Sequence, residues 1–268
     1  TEVVVLAVDE ATGTTKTLLT DSDAAWVNVH QEAPHWLSDG SAFLWVSERN
    51  GYPQLELHGR DGSLVRAVTP LDIGYRDLIQ VSADDRTAIF RASADPTQIH
   101  LYRVALGADA SPPEKLTTES GEHHGVFAPS GAASVRVLDP KDGAPTWRVT
   151  NDAGVDAGSL ASVAERPKFD TAFELTTVEV EGRTHHASIT RPHTFDPAAR
   201  YPVVVHVYGG PWHQMVAAVE SRFVFDQWLA DHGFIVVSID GRGTPGRGRD
   251  WERAIKNDLI AIPLADQT

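Results

Sequence analysis

The chain has 268 residues, of which 41% are apolar and 8% aromatic, a globular composition long enough for two domains and rich enough for a hydrophobic core. Its formal net charge of −14 repels phosphate backbones and anionic bilayers, so neither nucleic acid nor a membrane surface is expected as a partner. The absence of cysteine excludes disulfides, thiolate metal sites and a cysteine nucleophile.

The apolar runs are short, the longest being Val203–Val205 and Phe234–Val237, so no membrane-spanning segment is expected. No secretory signal is visible. The first residue is Thr1 rather than methionine, which suggests that residues upstream were removed or left out. The compartment stays open.

Three units repeat along the first half. The first has the turn Ser38-Asp39-Gly40, then the strand-like stretches Ala42–Ser47 and Pro53–His58. The second has Ser82-Ala83-Asp84-Asp85, then Ala88–Ala92 and Gln98–Val104. The third has Ala128-Pro129-Ser130-Gly131, then Ala133–Leu138 and Pro145–Thr150. Ser38, Ser82 and Ser130 are spaced 44 and 48 residues apart, and the pairs Leu19-Thr20, Val68-Thr69 and Leu116-Thr117 recur at 49 and 48. A period of roughly 40–50 residues with several short strands per unit is the pattern of β-propeller blades. A single blade cannot bury both of its faces and must stack on neighbours. Three blades cannot close a ring, so further blades are expected to precede Thr1.

The pattern changes near Ser159. Phe173–Val180 and His185–Arg191 read as a hairpin about Glu181-Gly182. Val203–Tyr208 reads as a strand buried on both faces and ends at Gly209-Gly210-Pro211. A helix is expected over Ala217–His232, with Val219, Phe223, Phe225, Leu229 and Ala230 on its apolar face and Gly233 as its stop. Phe234–Ile239 reads as a second buried strand, closed by Asp240-Gly241-Arg242-Gly243, and Arg249–Asp258 as a short helix. Strand, helix, strand, helix implies a parallel sheet with crossover connections.

Two loops could carry chemistry. Glycines just past a buried strand, as at Gly209 and Gly210, let backbone N–H groups approach a ligand, and a tyrosine beside them, Tyr208, could donate to a developing oxyanion. A tight turn with a packed tyrosine is the plainer alternative. Gly241, Gly243 and Gly246 match G-x-G-x-x-G, but Pro245 interrupts the motif and no further strand with an acidic end follows. A close-packed glycine loop at the carboxyl edge of a sheet is the reading that wins there, and no cofactor is expected. No serine lies in G-x-S-x-G, so no nucleophile elbow is present. There is no H-E-x-x-H, and the histidines, including the pairs His123-His124 and His185-His186, read as surface or turn residues with no metal to hold.

These residues resemble a known family. Trp45-Val46-Ser47-Glu48-Arg49-Asn50-Gly51-Tyr52, Phe127–Gly131, Tyr201–Pro211, Asp240–Gly248 and Asp266-Gln267 are similar, in this order, to markers of the dipeptidyl peptidase IV-like serine peptidases of the prolyl oligopeptidase superfamily. The resemblance implies the last blades of a β-propeller over residues 1–158 and the N-terminal part of an α/β-hydrolase domain over 159–268, truncated before the nucleophile. It implies a parent that removes N-terminal dipeptides, often with Pro or Ala second, from peptides with a free N-terminus. Tyr208 would be the oxyanion donor, Gly209, Gly210 and Pro211 its loop, and Asp240, Gly241, Arg242 and Gly243 a second signature loop. The serine, aspartate and histidine of the triad would lie beyond this chain, which alone would be inactive, and the parent could be a homodimer. Two departures, at Arg136–Ala144 and Leu259-Ile260, leave open an acylaminoacyl peptidase, a carboxylesterase or a non-catalytic binding homologue.

Overall fold

The computed structural model describes residues 1–107, 111–151 and 153–268. The first half opens on a hairpin, β1 (Glu2–Val8) and β2 (Thr15–Ser22). Three four-stranded antiparallel sheets follow. The first is β3 (His35–Trp36), β4 (Ala42–Ser47), β5 (Gln54–Gly59) and β6 (Leu64–Ala67). The second is β7 (Tyr75–Val81), β8 (Thr87–Ala92), β9 (His100–Ala105) and β10 (Glu114–Lys115). The third is β11 (Gly121–Phe127), β12 (Ala133–Pro140), β13 (Thr146–Asn151) and β14 (Asp156–Leu160). Each sheet is ordered as the chain runs, so each is a simple meander.

The 44- and 48-residue spacings have a physical origin in turns that touch their equivalents. Asp85, in the β7–β8 turn, accepts the Ser38 N–H at 2.7 Å from the matching turn of the first sheet. The Ala83 N–H in turn reaches Pro129 O of the third, at 3.3 Å. The threonine of each repeated pair closes a sheet. Thr69 Oγ1 accepts the Leu55 N–H at 3.0 Å, and Thr117 Oγ1 accepts the Leu101 N–H at 3.1 Å. The residues before them, Val68 and Leu116, donate to the same two residues' carbonyls at 2.7 and 2.8 Å. The earlier pair, Leu19-Thr20, lies within β2 of the opening hairpin, an element not foreseen in the sequence.

Strand β4 is buried along its whole length, because its two faces serve different layers. Leu44 and Val46 join Leu55, Tyr75, Leu78, Phe90 and Val104 in a core between the first and second sheets. Phe43 and Trp45 pack with Leu19 against the hairpin. Each such buried aliphatic or aromatic side chain contributes about 1.5–3 kcal/mol. The many small stacked sheets suit a propeller-like region; no closed ring is formed among the described residues.

The second half is a four-stranded mixed sheet in the order β15–β16–β18–β17, from β15 (Phe173–Val180), β16 (Arg183–Thr190), β17 (Val203–Val205) and β18 (Ile235–Asp240). Only β17 and β18 run parallel; β16 pairs antiparallel with β18. The expectation of a parallel sheet therefore holds for one pair, since the β15–β16 hairpin adds on the other side. The hydrolase-like part is small.

Strand β17 is shorter than the expected Val203–Tyr208, and it is not buried on both faces. It is the edge of the sheet, and Val203 and Val205 are exposed. The expected helix over Ala217–His232 shrinks to a 3₁₀ turn, Glu220–Phe223, and α1 (Val224–Asp231). Backbone bonds of Val216 to Asp240 and of Ala218 to Thr97 O hold the start of that stretch extended. Phe225 turns outward and is 59% exposed, while Asp226 and Gln227 are buried instead. Their polar ends are occupied: Gln227 binds Ala172 N and Arg191 O, and Asp226 pairs with His206 at 3.0 Å. The helix expected over Arg249–Asp258 is α2 (Arg249–Arg253) alone, and Asn257, at φ +67°, forms part of the turn that follows. A last helix, α3 (Ala261–Gln267), ends the chain.

The histidines also depart from expectation. His58, His100, His123 and His185 are buried, because strands β5, β9, β11 and β16 turn those positions into sheet interfaces.

Candidate active-site groove

Tyr208 lies three residues past the end of β17, after His206 has extended the ladder by donating to Val237 O at 2.8 Å. Its ring folds back over Gly210. A Cβ built on Gly210 would stand 3.0 Å from the Tyr208 hydroxyl oxygen, so the close approach needs glycine there. The ring meets His213 edge-on at 5.7 Å and 88°. Gly209 sits against Pro263 of α3. Tyr208 is half-buried and faces an open groove of about 1190 Å³, which Trp26, Val29, Trp212, Ile255 and Ile260 help to line. Trp212 stands 85% exposed at its rim. Nothing in the sequence flagged Ala25–Val29 as a wall of this groove, because its two sides are about 180 residues apart in sequence.

Asp240 ends β18 and is buried. One oxygen accepts the Met215 N–H at 2.8 Å, and the other accepts the Val216 N–H at 3.1 Å. Burial raises its pKa to about 6, against the opposing pull of those two bonds. The loop that follows is locked from several sides. Arg242 makes a bidentate pair with Asp266, with contacts between 2.6 and 3.1 Å that include its backbone N–H. Burial pushes Asp266 up, but the Arg242 bonds outweigh it and hold the carboxyl below its ordinary value. Trp251 Nε1 donates to Gly241 O at 3.0 Å, and the Arg247 guanidinium stacks over the Trp251 ring at 3.7 Å.

The glycines of this loop face protein rather than a vacant cradle. A Cβ on Gly243 would fall 2.8 Å from Ile255, one on Gly246 1.8 Å from Arg76, and one on Gly248 2.7 Å from the Tyr52 ring. All three also have positive φ. Arg76 and Tyr52 belong to the first half, so the loop is one of the places where the two halves meet.

The structure thus brings Tyr208–Pro211 to one wall of the groove. It joins Asp240 to that wall through Met215 and Val216. Gly241–Gly243 sit behind it, packed on α2 and α3, with Arg242 bound to Asp266.

The first 142 residues match the model of the dipeptidyl peptidase IV (DPP IV) N-terminal region, more than half of the chain. The chain belongs to the dipeptidyl peptidase IV family. Residues 223–268 match the prolyl oligopeptidase family. Among the curated relatives of this DPP IV-family chain is a sequence named "Probable dipeptidyl-aminopeptidase B" from Aspergillus terreus, 30% identical over 183 residues, 64% of this chain and 20% of that one. One of the same name from Aspergillus fumigatus is 32% identical over 184 residues, again 64% and 20%. The chain thus spans about a fifth of the length of the curated relatives it matches. The crystal structure of Porphyromonas gingivalis dipeptidyl peptidase 4 superposes with a TM-score of 0.83 at 24% identity, over 94% of this chain and 36% of that one. That likeness fixes the fold.

Proposed function

We propose that this chain is the middle segment of a serine-type dipeptidyl aminopeptidase, with the last propeller blades over residues 1–158 and the start of the hydrolase domain over 159–268. The parent hydrolyses N-terminal dipeptides, with Pro or Ala second, from peptides with a free N-terminus. The observation that carries the reading is Tyr208, held over Gly210 just past β17 on the wall of a large groove. There it donates to the oxyanion that forms when a serine attacks the scissile carbonyl. A preorganised donor is worth most at that point, and losing one costs roughly 10²–10³ in kcat. Gly209, Gly210 and Pro211 shape the turn, and Asp240–Gly243 support it from behind. The serine, its histidine base and the orienting aspartate come from chain outside these 268 residues.

The test pairs an intact mass of the native polypeptide with an assay on Gly-Pro and Ala-Pro chromogenic amides. A mass well above 29.1 kDa, with release blocked by a serine-reactive phosphonate, supports the reading. A full-length parent that binds such peptides without turning them over points instead to a non-catalytic homologue. Turnover by the 268 residues alone would sink the assignment of the nucleophile elsewhere.

A further inference from the structure

We infer that Asp240 is a positioning residue that sets the place of the Tyr208 hydroxyl by gripping the backbone that follows it. The inference rests on the proposed role of Tyr208.

Among the described residues, no group hydrogen-bonds the Tyr208 hydroxyl. The ring's place is decided by its own turn, at Gly210, and by the edge of His213. Both lie within six residues of Met215 and Val216, the two residues whose N–H groups Asp240 holds. From the other side, Gln214 Nε2 donates to Pro96 O at 3.1 Å and the Ala218 N–H to Thr97 O at 2.7 Å. Arg222 Nη1 donates to Gln214 O at 3.0 Å, while its Nη2 binds Glu122. The stretch 214–218 is therefore clamped between the end of β18 and a turn of the second sheet.

A carboxylate suits this grip because both its oxygens accept. Asparagine offers one acceptor oxygen, and its NH₂ would face the second N–H. The grip is costly. Burial raises the Asp240 pKa, and the cations within reach, Arg222 and Arg247, are engaged elsewhere. A folded-state pKa above the unfolded value means that stability falls as pH rises through about 4–6. At neutral pH the ionised Asp240 works against the fold, which is common for groups kept for function.

The experiment is a double-mutant cycle in the full-length parent, with Tyr208→Phe, Asp240→Asn and both together, read as kcat and KM on an Ala-Pro amide. Asp240→Asn is expected to lower kcat tenfold or more with KM within about twofold, and with a melting temperature at pH 7.5 no lower than that of the parent. The double variant is expected to be no slower than Tyr208→Phe alone, because a residue acting through Tyr208 has nothing left to act on. If the Asp240→Asn loss multiplies onto the Tyr208→Phe loss, the inference falls. Should Asp240→Asn not fold, Gln214→Ala, which removes both the Pro96 anchor and a side-chain bond to Asp240, takes its place in the same cycle with the same two outcomes. If the wild-type parent turns over no amide, the proposed function fails separately. The coupling is then read from the ¹⁹F signal of 3-fluorotyrosine placed at Tyr208. A shift on Asp240→Asn supports it, and an unmoved signal overturns it.

Discussion

Gly246 has φ +83°, and a Cβ there would land on the Arg76 guanidinium. Alanine at this position meets two penalties, one in the backbone and one in space. Gly246→Ala should cost on the order of 2–3 kcal/mol. Arg76→Ala in the same chain should return only part of it, since the backbone strain stays; chemical denaturation of the three variants reads both. Arg76 itself has Nε and Nη2 buried without partners, and burial pulls its pKa down. Glycines 241, 243 and 246 were legible as a tight loop from sequence. What they face was not, since Ile255, Asp266 and Arg76 approach from three different elements. The same holds for Tyr208: its strand and glycines announce a special loop, but the groove wall at Ala25–Val29 depends on how the halves dock.

At the scale of elements, the repeated Leu/Val-Thr pairs show how much pattern alone carries. A threonine recurring in phase was visible in the sequence, and its job is to accept a backbone N–H where the outermost strand gives out. Thr69→Val and Thr117→Val keep the shape and remove the acceptor, leaving the Leu55 or Leu101 N–H buried without it. Each should cost about 1–2 kcal/mol in urea denaturation, and the two should add, since they sit in different sheets. The periodicity of alternating strands was readable because each sheet repeats the same contacts. The helix over Ala217–His232 was overdrawn for the opposite reason. Ala217, Ala218 and Val219 have the apolar pattern of a helix start, but their backbone is claimed by Thr97 and their neighbours' by Asp240. A tertiary bond outweighs a local preference of a few tenths of a kcal/mol.

The whole molecule is held across its halves by a buried charge cluster. Arg253 binds Asp23 at 2.8 Å and also pairs with Glu48, and Asn28 bridges Glu48 and Glu252. Arg253→Ala leaves Glu48 buried without a cation and Asp23 with Arg249 alone, at 3.6 Å, and should destabilise by about 3 kcal/mol. Arg253→Met should cost less at pH 5 than at pH 7.5, since Glu252, already raised by burial and by Glu48, can take up a proton. Paired melting curves at the two pH values check this. A second whole-molecule property follows from His100, which stacks on His123 at 5.2 Å between the second and third sheets. Burial, with Lys115 and His123 nearby, lowers the His100 pKa to about 4. Its folded pKa lies below the unfolded value near 6.5, so the unfolded chain binds the extra proton first. Stability should be intact above pH 6.5 and fall toward pH 4, by on the order of 2 kcal/mol from this group. His100→Gln should flatten that slope in melting curves taken from pH 7.5 to 4.5. None of these pairings was visible in the sequence, because the partners lie up to about 230 positions apart.

The turn Asp95–Thr97 belongs to the second sheet, yet its carbonyls hold the Gln214 side chain and the Ala218 N–H in the stretch that follows Tyr208. The two halves are therefore not interchangeable parts. A chimera that grafts this hydrolase-like half onto the sheets of a distant relative is expected to lose rate, unless the graft carries a turn that offers the Pro96 and Thr97 carbonyls at the same place. Recombination within the family would be expected to cut elsewhere, or to move that turn together with the loop it holds.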